Sequence, residues 1–162
     1  MKVNPDDFTN SAWQGIIDAK DLALTEKHQT LETEHLFWSL LKKNEIAIKI
    51  IERSGGVIKN LLTEIENFIK NQPKMLQVQE SIFFGKNISL SISRAKNIQQ
   101  SFKDDFISSE HLVISLFDDE RICNRLFKQN HVDKNSLLEA LNALKGDKKV
   151  TQKNAENSYE AL

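Results

Sequence analysis

The sequence predicts an all-α fold built from two tandem, pseudo-symmetric four-helix repeats. Only five Gly and two Pro interrupt 162 residues, so long stretches lack the residues that break helices. Apolar residues recur at helical rather than strand spacing almost throughout. A single gap-free offset then lays the first half on the second. Phe8 falls on Phe84, Ala19-Lys20 on Ala95-Lys96, Glu34-His35-Leu36 on Glu110-His111-Leu112, and Leu61-Leu62 on Leu137-Leu138.

Each repeat begins with a helix whose apolar stripe is Ala12, Ile16, Ala19 and Ala23 in the first copy, and Ile88, Ile92 and Ala95, running on toward Ile98 and Phe102, in the second. A short second helix carries Leu36, Phe37, Leu40 and Leu41, matched by Leu112, Val113, Leu116 and Phe117. Thr33 and Ser109 read as its N-caps, and Glu34 or Glu110 lies near the positive end of its dipole. The third helix carries Ile46, Ala47, Ile50 and Ile51, and ends at Gly55-Gly56, where a positive φ is free of steric cost. The fourth carries Ile58, Leu61, Leu62, Ile65 and Phe68, ending before Pro73 in one copy and at Gly146 in the other. The expected boundaries are an N-terminal segment 1–7, repeat one 8–71, an inter-repeat loop 72–83, repeat two 84–146, and a flexible, solvated linker 147–162.

Composition excludes several function classes. At 40% hydrophobic, the chain can bury a core without metals or disulfides, and the lone Cys123 points to a reducing compartment, the cytoplasm. The start of the chain lacks the apolar stretch of a signal peptide, and no run approaches the ~20 residues that span a bilayer, so a membrane is not an expected partner. With 22 basic against 23 acidic side chains there is no global field for nucleic acid. A phosphate-binding GxxxxGK[ST] loop, a GxSxG elbow, an HExxH helix and an EF-hand loop are all missing, so neither catalysis nor a cofactor is expected of this chain.

The sharpest chemical candidates are His35 and His111, at equivalent places and each directly after a Glu. Adjacent helical residues point about 100° apart, so neither pair chelates from one face, and a structural role at the helix start is the expected one. Trp13, Trp38 and Phe37 read as core, with Phe83 and Phe84 set apart beside the irregular segment. Asp104, Asp105 and Glu110 read either as a binding rim or as a solvated loop, and Lys145, Lys148, Lys149 and Lys153 as solubilising linker charges.

The Phe8-Thr9 start, Leu31-Glu32-Thr33-Glu34-His35-Leu36 and Phe106-Ile107-Ser108-Ser109-Glu110-His111-Leu112 together resemble the double Clp N motif of ClpB-type protein disaggregases. The tail from Lys149 through Tyr159-Glu160-Ala161-Leu162 is similar to the linker leading into an ATPase module. The resemblance implies a binding domain of a homohexameric parent that uses ATP and Mg and works with the DnaK chaperone system, the fragment itself being a monomer. Its partners would be unfolded or aggregated polypeptides and the parent's own ATPase modules. It further implies exposed polar substrate-binding positions at Thr9, Asp104 and Glu110, and a shallow apolar groove near the fifth and sixth helices with Ile98, Phe102 and Phe106 on or beside it.

The alternative from the same family is a free-standing double Clp N adaptor or accessory subunit of a Clp protease. From other classes come a metal-dependent helical protein using His35, His111 and nearby carboxylates, and a purely structural domain.

Overall fold

Two cycles of amphipathic helix pattern fold into two cycles of four helices in a computed structural model, which describes residues 2–159. The first repeat comprises α1 (Asn10–Thr25), α2 (Thr33–Lys43), α3 (Glu45–Arg53) and α4 (Ile58–Lys70). The second comprises α5 (Lys86–Ser101), α6 (Ser109–Phe117), α7 (Cys123–Gln129) and α8 (Lys134–Lys145). Arg53 and Lys70 end their helices within a few residues of the expected stops. Gly55 takes φ +99° after α3, and its counterpart His131 takes +63°, so the same turn is made with and without glycine.

Every residue of α6 and all but three of α2 are buried, which makes these short helices the centre of the molecule. They are buried nearly all round, polar residues included, because neighbours cover every face. Ser39 shows how tightly α1 meets α2: its hydroxyl donates to the Gly15 carbonyl at 2.7 Å, and a Cβ on Gly15 would lie 3.1 Å from Leu40. Phe37 of the first repeat packs on Phe127 of the second, with ring centroids 4.9 Å apart, joining the two halves into one core. Burying one such ring contributes about 1.5–3 kcal/mol.

The repeats also exchange their leading segments. A parallel pair joins β1 (Thr30–Leu31) to β2 (Phe83–Phe84), so the entry to α5 lies against the loop before α2. Its counterpart is the bridge from Phe8 to Ile107, the residue that falls on Leu31 when the repeats are superposed. There Ile107 N–H donates to Asp7 O at 2.8 Å and Thr9 N–H to Ile107 O at 2.9 Å. Each repeat therefore threads its entry through the other.

Two expectations are corrected. The N-caps of α2 and α6 are Glu32 and Ser108, which hold extended φ/ψ, and Thr33 and Ser109 are the first helical residues. Residues 147–159 are a strap packed on the second repeat and on the start of α1: Val150 is fully buried, and Glu156 and Tyr159 are nearly so. A polar composition misled here, because one Val and one Tyr suffice to anchor a short segment whose carboxylate finds a buried partner. The rest of the expected linker, residues 160–162, lies outside the described residues. Among the described residues no helix is long and apolar enough to cross a membrane.

Candidate functional site

The backbone N–H of Glu32 donates to His35 Nδ1 at 2.9 Å, and that of Ser108 donates to His111 Nδ1 at 2.8 Å. Each ring thus satisfies the N-cap amide from the N3 position, a histidine version of the capping box. Because Nδ1 accepts, the ring proton sits on Nε2 and points inward. His35 directs it to His28 Nδ1 at 2.7 Å, whereas His111 directs it to Asp104 Oδ2 at 2.8 Å. His28 and Asp104 themselves occupy equivalent places in the two repeats. Burial, followed by the charges of His28 and Arg121, lowers the His35 pKa to about 3, so its ring is neutral. The structural reading of both histidines holds.

Charge distribution separates the two repeats. In the first, the buried Glu34 receives the Arg121 guanidinium from the second repeat, with Nε at 2.8 Å and Nη2 at 3.0 Å. In the second, Lys145 is buried and places Nζ 2.6 Å from Asp104 Oδ2 and 2.9 Å from Glu110 Oε2. Lys145 is therefore a buried counter-ion and not a solubilising charge. Burial pushes the Asp104 carboxyl up, but hydrogen bonds from His111, Lys145 and the Val150 amide outweigh it and hold the pKa at about 2. Asp104, Glu110 and His111 lie close enough together to suggest a metal cage. The ammonium of Lys145 already fills the place between the two carboxylates that a cation would take, so this set does not fit a resident metal.

Thr9, Asp104 and Glu110, expected to be exposed, are 0%, 4% and 0% exposed. The structure does bring them together, around the strap. Thr9 caps α1 by accepting from Ala12 N–H at 3.3 Å, and donates its hydroxyl to Glu156 Oε2 at 2.7 Å. Ser109 donates N–H and Oγ–H to that same oxygen at 3.1 and 2.9 Å, so the Glu156 carboxylate sits on the N-termini of α1 and α6, where helix dipoles favour an anion. Asp104 Oδ1 accepts the Val150 amide at 2.9 Å, and Glu110 Oε2 accepts the Tyr159 hydroxyl. Burial and the nearby Glu110 charge push the Tyr159 phenol far above its ordinary pKa, keeping it a donor. Lys145, which the sequence presents as a linker charge, belongs to this site, as do Val150, Glu156 and Tyr159, which no motif marks; the one available signal is the isolated Tyr in a polar tail. Of the acidic cluster only Asp105 is exposed, and its N–H holds the Val150 carbonyl at 2.7 Å.

Phe102 is the apolar candidate that faces a groove. With Leu138 and Leu141 of α8 it floors a shallow cavity of about 380 Å³, rimmed by Lys145, Lys148 and Lys149. Its ring stands edge-on to His111 at 5.8 Å, with Lys145 Nζ 5.5 Å from its centroid. Ile98 and Phe106 are half-buried against the core and do not line this cavity. Elsewhere Leu76, Val78 and Phe83 of the inter-repeat segment are exposed, Leu76 almost completely.

Residues 7–130 match the family model described as the Clp repeat (R) N-terminal domain. The chain is 40% identical over 162 residues to the chaperone protein ClpB of Prochlorococcus marinus, covering all of this chain and 19% of that protein. It is 35% identical to the chloroplastic ClpB2 of Oryza sativa subsp. japonica, covering 99% and 17%. The chain thus spans about a fifth of the length of the curated relatives it matches. Among solved structures, the Hsp104 N-terminal domain from Candida albicans superposes with a TM-score of 0.83 at 17% identity, covering 93% of this chain and 99% of that one. The N-terminal domain of the ClpV1 ATPase from E. coli gives 0.70 at 17% identity, covering 83% of each chain. With two four-helix repeats and entry segments exchanged between them, the chain belongs to the Clp repeat N-terminal domain family, in the form found in ClpB-type chaperones.

Proposed function

We propose that this domain captures exposed apolar segments of unfolded or aggregated polypeptides for a ClpB-type chaperone. The parent is then an ATP- and Mg-dependent hexameric ring in the cytoplasm that remodels stress-denatured protein with the DnaK system. The observation that carries this reading is the shallow groove floored by Phe102, Leu138 and Leu141, a surface half apolar and half polar on a domain of this family. Shallow apolar contact suits many unrelated clients at weak affinity, and several such domains around one ring gain avidity through effective concentration.

Thr9, Asp104 and Glu110 serve this function one step behind the surface, by seating the strap whose lysines rim the groove. The test is binding of the domain to an unfolded, apolar-rich model polypeptide. Leu138→Asp and Phe102→Ser abolish binding with helical content unchanged, whereas Thr9→Ala, Asp104→Ala and Glu110→Ala weaken it only as far as they loosen the strap. Equal binding by wild type and both groove variants overturns the assignment.

A further inference from the structure

The groove on the second repeat has a charge pattern that its floor does not explain. Among the described residues no acidic side chain lines it, while Lys145, Lys148 and Lys149 stand around the Phe102, Leu138 and Leu141 floor. Lys145 is committed to Asp104 and Glu110. Lys148 and Lys149 are exposed, and among the described residues their ammonium groups donate to backbone carbonyls, of Ser158 and Phe102 respectively, rather than to carboxylates. A volume of about 380 Å³ lies near the lower end of the ~300–1,000 Å³ of ligand clefts, enough for one or two side chains.

The position of those two lysines is set by the strap. Val150, the next residue, is pinned by its amide on Asp104 and its carbonyl on Asp105 N–H, and Glu156 and Tyr159 hold the far end. The first repeat fills the corresponding place differently: Glu26 stands where the second has Phe102, and it pairs with Lys74 at 3.1 Å.

We infer that the groove selects an apolar side chain flanked by carboxylates in an extended polypeptide, and that Lys148 and Lys149 of the docked strap supply this selectivity. The inference rests on the capture reading and names the class of segment captured. The chain's net charge of −1 gives acidic peptides no general attraction, so a preference for them has a local origin.

The experiment titrates the chain with three fluorescent peptides sharing one Leu-Phe-Leu core, flanked by Glu, by Ser or by Lys. The Glu-flanked peptide binds roughly three- to tenfold more tightly than the Ser-flanked one, as two exposed charge pairs allow, and the Lys-flanked one binds most weakly. The spread narrows as salt rises. Lys148→Glu combined with Lys149→Glu reverses the order. Equal binding of all three peptides overturns the inference and leaves capture standing. A preference for Glu that survives the double charge reversal overturns the assignment to these lysines, and binding by none of the peptides overturns capture itself.

Discussion

His35 in the first repeat hands its inward proton to another histidine, His28; His111, at the same register of the second, hands it to Asp104. Backbone geometry is shared down to the positive φ of +59° at both Lys27 and Lys103, in the turn that follows the first helix of each repeat. The first repeat neutralises its buried Glu34 with an arginine reaching across from the second. The second neutralises Asp104 and Glu110 with its own Lys145, where the first repeat has the buried apolar Ile69. A duplicated fold thus keeps its steric frame and changes its polar contents, and the changed contents receive the strap.

The largest expected effect comes from removing that lysine. Lys145→Met leaves Asp104 and Glu110 buried without their cation and lowers stability by about 3–5 kcal/mol in denaturant unfolding. Arg121→Met costs less, about 1–3 kcal/mol, because the Arg121 side chain is itself 28% exposed, so its truncation opens the buried Glu34 to water. Equal losses would break the contrast between the repeats.

Acid separates them next. The Asp104 carboxyl, at about 2 in the folded chain against an ordinary 3.8, contributes stability that is complete above pH ~4 and fades as pH falls toward 2; its size is about 2 kcal/mol. His35, at about 3 against 6.5, contributes stability that is complete above pH ~6.5 and already declines below it. Stability measured from pH 8 to 2 therefore falls in two windows: His35→Gln shrinks the upper one, to which the buried His28 also contributes, and Asp104→Asn flattens the lower.

Helix capping sharpens the comparison further. Thr9 caps α1 with its own side chain, but its counterpart Gly85 leaves α5 to be capped by Glu32, whose Oε1 accepts from Ile88 N–H at 3.1 Å. A Cβ on Gly85 would lie 2.3 Å from that carboxylate. Thr9→Ala costs about 1–2 kcal/mol in thermal unfolding, and Glu32→Ala a similar amount at the other entry. The smallest effect is that of Tyr159→Phe, which removes one hydrogen bond to Glu110 and costs about 1 kcal/mol, seen as faster amide exchange at Val150.

Most of the fold was legible in the sequence because its signals are local. Apolar stripes, Gly and Pro stops and a gap-free repeat fix eight helices without long-range knowledge. Thr33 and Ser109 were misplaced by one position because a cap is defined by φ/ψ, which Glu32 and Ser108 adopt. The candidate site was half legible. Phe102, Asp104 and Glu110 were named, but the exposure expected of Asp104 and Glu110 was inverted, since the strap that buries them returns from beyond the end of α8. No periodicity marks Val150, Glu156 and Tyr159, whose partners are spread over α6 and the segments before α1 and α6.

The most direct measurement is amide and methyl chemical-shift mapping of the chain during titration with an unfolded, apolar-rich polypeptide. Capture in the groove predicts perturbations at Phe102, Leu138, Leu141, Lys148 and Lys149, and none at the first-repeat counterparts Glu26, Leu62 and Ile65. Perturbations confined to Leu76–Phe83, or to the first repeat, would contradict it.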